Sequence, residues 1–475
     1  MSKNKTYSKS QPVKQKQSSP KKPKIPKKMR GSWILIGLGL TGVALVSATA
    51  GALLAVSLSS TPLRQANLSP QEEAVFNQDE TISYKNLHLP ELSRPVNILI
   101  LGTKVLTSEV EDPKQEDLGY HALVNSFHGL TDTMLLLRFE PNQEKLTLLS
   151  IPRDTQTLIE GHGLKKINEA NYYGGPALTA ETVSNLLNGV PIDRYVRVNV
   201  QGVEKLIDAL GGVKVYVPKD MKYQDDSQHL YINLKKGEQR LNGEQAVQFL
   251  RFRYDEFGDI GRIQRQQILI RALIEQALKP QTLLRIPDIL SVIQSNIDTN
   301  LTVEELVALA GFAGQTQRSK IQMLMLPGGF SGDGKHEISY WIPYNRQIQT
   351  MVAQHFDHGY TETQQIERDP TSLRIAIQDS TDDPEAVQAM VHYLQEKGYR
   401  RIYLGDSWAE PLKVTRIIAQ KGDDSGAAEV RATLGVGEVL VESTGNLASD
   451  LTIQLGKDWQ EKQQMNLELE EQQHF

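Results

Sequence analysis

Residues 33–58, WILIGLGLTGVALVSATAGALLAVSL, form an uncharged apolar run of 26 residues, and no other stretch limits so sharply what the chain can become. The run exceeds the ~20 residues that carry a helix across a bilayer. Residues 1–30 ahead of it hold ten lysines, Arg30 and no acid, with Pro, Ser and Gln between. Such a composition buries no core and is expected to be disordered. By the positive-inside rule this basic block predicts a cytoplasmic N-terminus and sends everything past residue 58 outside the plasma membrane. Ala48-Thr49-Ala50 resembles a cleavage site, so a signal peptide competes with a retained anchor. The basic region is long for a signal peptide and the apolar run continues past that site, which favours a single-pass anchor.

The full chain carries −5, and setting aside the eleven positive charges of residues 1–30 leaves the remainder near −16. That balance points away from nucleic acid as a partner. There is no cysteine, which excludes a disulfide framework, a thiolate zinc site and a cysteine nucleophile. A length of 475 residues suggests two or three domains. The expected organisation is a basic tail (1–32), the membrane helix (33–58), a polar linker (59–92), a large α/β domain (93–360), a small α/β domain (372–459) and a frayed polar tail (460–475).

Within 93–360, β-rich apolar runs alternate with helical periodicity. MLLLRFE (134–140) and KLTLLSI (145–151), joined by PNQE, predict a hairpin. TAETVSNLLN (179–188) predicts a helix with Thr179 as its N-cap. RYVRVNV (194–200) and VKVYVP (213–218) predict strands on either side of a helix closed by Gly211-Gly212. Mixed order of this kind indicates helices on both faces of a sheet, with sites at strand ends.

The polar residues fall at such ends. Asp132 precedes one hairpin strand, and Arg153 and Asp154 follow the other, so a carboxylate and an Arg–Asp pair should meet at one sheet edge. A carboxylate beside phosphate oxygens is a reasonable Mg²⁺ ligand; Asp132 as a turn cap and Arg153 as a local partner of Asp154 is the plainer alternative. In FLRFRYDEFGDIGRIQRQQ (249–267), Asp259 predicts a helix N-cap, which places Arg262 in the first turn with Arg265 and Gln266 on its face. Cations there oppose the helix dipole, whereas an anion held by guanidinium forks and free N–H groups explains them. Ion pairing with Asp255, Glu256 and Asp259 is the competing explanation.

Together LTDTMLLL (130–137), LSIPRDT (149–155), KINEANYYGG (166–175), DRYVRVN (193–199), LIDALGGV (206–213) and FLRFR…GDIGRIQRQQ resemble the LytR-CpsA-Psr family of membrane-anchored phosphotransferases. The resemblance implies an α-β-α sandwich that holds a polyprenyl (pyro)phosphate-linked glycan and attaches it to a peptidoglycan hydroxyl as a phosphodiester. It implies head-group binding by Arg153, Arg251, Arg253, Arg262 and Gln266, with Lys166 from the third motif. Asp132 matches a metal-ligand aspartate and Asp259 a catalytic-region aspartate; Asp154 or Asp259 would orient or deprotonate the acceptor hydroxyl. Two departures stand out. Gly102-Thr103-Lys104 occupies a Gly-x-Asp position, so Lys104 replaces one metal carboxylate, and Leu130-Thr131-Asp132 replaces Arg-Ser-Asp. Residues 372–459 resemble the C-terminal domain of some family members. A hydrolase acting on the same diphosphate, and a non-enzymatic envelope regulator, remain as alternatives.

Overall fold

The computed structural model describes residues 63–83, 90–104, 126–226, 230–252, 258–277, 279–331, 339–359, 370–446 and 448–473. The apolar run 33–58 and Arg253 lie outside these residues, as does the side chain of Asp259. Among the described residues no helix is long and apolar enough to cross a membrane.

Strands β1 (Val96–Thr103), β2 (Thr131–Glu140), β3 (Lys145–Ile151), β4 (Arg194–Asn199), β5 (Ile297–Thr299) and β6 (Ile321–Met325) form one mixed sheet in the order β5-β4-β1-β2-β3-β6. β1, β2 and β3 run antiparallel to one another in sequence, while β4 joins β1 and β6 joins β3 in parallel. Side chains alternate with period two. Leu99, Leu101, Met134, Leu136, Leu149 and Ile151 enter one core. Val96, Ile98, Phe139, Leu146 and Leu148 enter the other. Burial on both faces explains why these strands read as continuous apolar runs.

The helices of this domain include α1 (Ala170–Leu186), α2 (Val200–Ala209), α3 (Gly243–Arg251), α4 (Gly258–Ala277), α5 (Val303–Gln315) and α6 (Asn345–Phe356). Ala180 and Val183 of α1, with Ile348 and Val352 of α6, cover the first face. Phe312 of α5 and Ile270 and Ile274 of α4 cover the second. A third core joins α2, α3 and the middle of α4 to the strands 213–217, 221–225, 230–234 and 237–241. Val213–Val217 pairs with Gly237–Leu241 in a two-stranded sheet of its own and is not part of the central one.

Three expectations need correction. Thr179 is not an N-cap: α1 begins at Ala170, breaks at Gly174 and Gly175 (φ +60°) and resumes at Pro176. Proline suits a first helical turn, and Thr179 is buried inside it, its Oγ1 donating to Gly175 O at 2.7 Å. Within the expected polar linker, the described residues 63–83 pack on the domain. Phe76 is buried against Tyr195, with ring centroids 5.3 Å apart, and Thr81 Oγ1 donates to buried Glu305 at 2.5 Å. The polar tail is helical, since the last helix runs to Gln473 through a stretch with no Gly or Pro.

The C-terminal sheet holds β7 (Arg374–Asp379), β8 (Arg401–Leu404), β9 (Arg416–Ala419), β10 (Glu438–Leu440) and β11 (Leu451–Leu455) in the order β8-β7-β11-β9-β10. Helices α7 (Pro384–Glu396), α8 (Asp424–Leu434) and α9 (Lys457–Gln473) accompany it, with Trp459 buried and donating to Ala386 O at 3.1 Å. His355 of α6 packs where this domain meets the first. A Cβ on Gly422 would lie 2.8 Å from its Nε2, and its Nδ1 donates to Gln322 Oε1 at 3.0 Å.

Burial, then the nearby Lys145 ammonium, push the His355 pKa down to about 4 from an ordinary 6.5. The unfolded chain therefore binds the extra proton between these values. The contribution of neutral His355 is fully present above pH 6.5 and is lost as pH falls towards 4. Denaturant unfolding should lose up to about 3 kcal/mol across that window through this group, and His355→Gln should flatten the slope. An equal slope in both proteins would refute the assignment.

Candidate active site

The pairing of Met134 with Ile151 sets the start of β2 beside the end of β3. The C-terminal ends of β1 and β4 reach the same edge, because Thr103 is in register with Asn199. Gly102 pairs with Thr133 and Thr103 with Thr131, which leaves Asp132 as the extra residue of a bulge. Bulges re-aim a side chain and interrupt the ladder. A Cβ on Gly102 would lie 3.0 Å from that of Thr133, a tighter contact than side chains ordinarily make.

Four charged groups then alternate in sign along the edge. Arg153 Nη1 donates to Asp132 Oδ1 at 2.6 Å and its Nε to Asp154 Oδ2 at 3.4 Å. Lys166 Nζ donates to Asp154 Oδ1 at 2.8 Å, from the hairpin of Gln156–Ile159 with Gly163–Lys166, and lies 5.4 Å from the Tyr340 ring. Both pairings foreseen for Arg153 are therefore present together. Burial alone would push the Asp132 carboxyl up. Arg153 first, then Arg262 and Lys104, outweigh that and hold it below the usual carboxylate range.

Helix α4 brings Arg262 and Gln266 to the same place; Gln266 Nε2 donates to Thr133 Oγ1 at 3.1 Å. The helix starts at Gly258, so Asp259 lies inside its first turn and Arg262 lies beyond that turn. Helix α4 presents the Arg262 guanidinium to the site. Arg265 does not share the face. At 100° per residue it stands about 60° from Arg262 on the side away from Gln266. It is buried, and its Nη2 donates to Phe252 O at the end of α3.

Lys104, Asp132, Arg251, Arg262 and Gln266 line a cleft of about 1530 Å³, open solvent included. Val198, Val200, Val203, Leu230, Val247 and Leu250 form its apolar wall, between α2, α3 and the strands 221–225 and 230–234. A smaller recess shares Asp132, Arg262 and Gln266 and adds Arg153, Asp154 and Phe330. Arg262 thus lines both spaces, with Arg153 in the recess and Arg251 in the cleft. Among the described residues no three His, Cys, Asp or Glu side chains cluster as a ready metal cage. Asp132 is the acid on the larger cleft's lining, so a divalent ion there would take most of its oxygens from phosphate and water.

Behind the edge, buried Arg197 holds Asp298 through Nε and Nη2, both at 2.5 Å, and donates from Nη1 to Asn171 Oδ1 at 3.2 Å. Asn171 Nδ2 donates to Phe127 O at 3.0 Å and Gly129 O at 2.8 Å. The segment that enters β2 is thereby tied to α1, β4 and β5, which fixes where Asp132 starts. Sequence reasoning missed this pair and the apolar wall. Arg197 and Asn171 stand in stretches already singled out, and Val247 and Leu250 have helical i, i+3 spacing.

Residues 62–357 match the LytR_cpsA_psr family, and residues 372–459 match the LytR cell envelope-related transcriptional attenuator family. The first match covers more than half of the chain, and the protein belongs to the LytR_cpsA_psr family. It is 34% identical over 271 residues to the polyisoprenyl-teichoic acid–peptidoglycan teichoic acid transferase TagU of Oceanobacillus iheyensis, covering 55% of this chain and 76% of that protein. The corresponding transferase TagV of Bacillus subtilis is 33% identical over 240 residues, covering 48% of this chain and 61% of that one, slightly under two thirds. The crystal structure of B. subtilis TagV aligns at 29% identity with a TM-score of 0.45, over 56% of this chain and 99% of that one.

Replacing Arg153 with Met removes the strongest attraction on Asp132 and leaves burial to raise it. In the wild type the depressed carboxyl contributes stability that is complete above its unfolded value, near 3.9, and is lost as pH falls through the lower folded value. The difference in unfolding free energy between the two proteins should therefore widen as pH rises from below the usual carboxylate value to above it. A constant difference would overturn the charge assignment.

Proposed function

We propose that this protein is a phosphotransferase that moves a glycan from a polyprenyl diphosphate carrier onto a peptidoglycan hydroxyl through a phosphodiester bond. The observation that carries this reading is a group of cations lining the same cleft as an apolar wall. Lys104, Arg251 and Arg262 line it together with valines and leucines, and Arg153 lines the recess that shares Arg262. A ligand with several negative charges at one end and a hydrocarbon chain at the other matches both parts. Neither a free nucleotide nor a plain lipid does. The transferase names of the relatives agree with it.

The diphosphate lies on the forks of Arg153, Arg251 and Arg262, with Arg253 expected beside them, while Lys104, Lys166 and Gln266 complete the polar rim. Guanidinium groups suit two-point contacts to phosphate oxygens. The acceptor oxygen bonds to the glycan-side phosphorus as the bond from that phosphorus to the polyprenyl phosphate oxygen breaks. Polyprenyl phosphate leaves, and the pre-positioned cations hold the charge that spreads over the equatorial oxygens. Both oxygens of Asp154 are engaged by Arg153 and Lys166, so Asp154 acts by keeping these cations in place. Asp259 is assigned the hydroxyl proton. Mg²⁺ fits with Asp132 as its protein carboxylate, and when bound it would neutralise phosphate charge. Residues 33–58 anchor the chain with the N-terminus in the cytoplasm, which puts the site outside, between lipid-linked donor and wall.

The test supplies purified full-length protein with a labelled lipid-linked glycan and peptidoglycan. Label should enter the wall polymer in a phosphodiester, with one polyprenyl phosphate released per linkage. Label recovered only as free glycan phosphate would make the enzyme a hydrolase. Arg262→Ala should lower kcat/KM by about 100-fold or more, the usual cost of removing one positioned donor to a developing anion.

A further inference from the structure

Helix α4 is held from behind by the C-terminal domain. Gln264 and Arg271 are seven residues apart and, at 100° per residue, both stand roughly opposite Arg262 and Gln266. Gln264 Nε2 donates to Gly445 O at 3.0 Å and Thr444 O at 3.3 Å. Arg271 Nη2 pairs with Glu442 Oε2, an oxygen that also accepts from Thr444 Oγ1 at 3.1 Å. Both partners are largely buried, with side-chain exposures of 14% and 6%. Just before them, Val441 bridges Gln322 in parallel, and its carbonyl accepts from Met323 N at 2.7 Å. Residues 441–445 therefore extend the edge of the central sheet at β6 and grip α4 in passing.

Among the described side chains, the apolar contributions of α4 to the cores, Ile268, Leu269, Ile270, Ala272, Leu273 and Ile274, come from residue 268 onward, while Arg265 and Gln266 are held by polar contacts to Phe252 O and Thr133. The half that carries Arg262 and Gln266 brings a guanidinium towards Arg153 and Lys104, which like charges resist. Gln264 lies in that half, and its contact with the two carbonyls is made from the rear.

We infer that segment 441–445 is a positioning element for the anion site: by holding the back of α4 it sets where Arg262 and Gln266 stand, so the C-terminal domain takes part in substrate binding. The inference rests on the diphosphate reading above. It assigns the domain a role in the reaction, where a spacer or wall-binding role would leave the site indifferent to it.

The experiment uses the full chain in detergent micelles, with farnesyl diphosphate as the probe and calorimetric affinity and thermal midpoint read on the same samples. Glu442→Arg and Arg271→Glu should each weaken binding about tenfold, within the usual range for coupling between sites. Combining the two reversals should restore affinity to within about threefold of wild type, and Gln264→Ala should weaken it about threefold. Arg262→Ala serves as the reference. If it alone loses binding while both charge reversals and Gln264→Ala bind as wild type, the C-terminal domain does not position the site. A positioning role is equally overturned if affinity falls only in proportion to the fraction unfolded. Where a charge reversal does not fold, Glu442→Gln and Gln264→Ala decide by the same comparison. If Arg262→Ala binds the probe unchanged, the diphosphate reading itself fails and this inference falls with it.

Discussion

Cations crowded at one edge of a sheet repel each other, and much of the architecture can be understood as holding them there. Arg153, Lys104, Arg251, Arg262 and Lys166 come from a strand end, a strand end, a helix end, a helix face and a hairpin. Asp132 and Asp154 offset part of the charge. The bulge at Asp132 and the glycine opposite it allow the carboxylate to stand among the arginines while the ladder on both sides stays paired.

The apolar cleft next to these cations decides the kind of anion. Val198 of the central sheet lines it, and the rest of its apolar wall comes from a region outside that sheet, in which two strand pairs pack on α2, α3 and α4. Charged and apolar surfaces meet in adjoining spaces, because Arg262, Asp132 and Gln266 line both the large cavity and the small recess. The arrangement divides labour between rigid parts. The sheet edge holds the carboxylates and Arg153, while α3 and α4 hold the other arginines and the apolar wall, so the relative placement of helix and sheet controls the geometry of the site.

Much of this was legible in the chain. Antiparallel β2 and β3 followed from two apolar runs and a short polar turn, and from that turn alone the meeting of Asp132 with Arg153 could be expected. Helix boundaries were less legible. Gly175-Pro176 starts the second part of α1, where Thr179 had the better capping chemistry, because a glycine at positive φ and a proline outweigh a local side-chain bond. Arg265 looked like a partner of Arg262, yet a difference of one residue on a helix turns a side chain through 100° and into the Phe252 carbonyl.

Local sequence determined which segments are strands and helices and which charged residues end them, because those depend on side-chain period, capping and turn chemistry over a few residues. Only the tertiary structure decided that Arg197 finds Asp298, 101 residues away, that Phe76 closes on Tyr195, and that Glu442 meets Arg271 across two domains. Nothing local specifies such pairs. Each forms because burying an isolated charge or leaving an aromatic face in water is costly, and the partner that relieves that cost is chosen by how the whole chain packs.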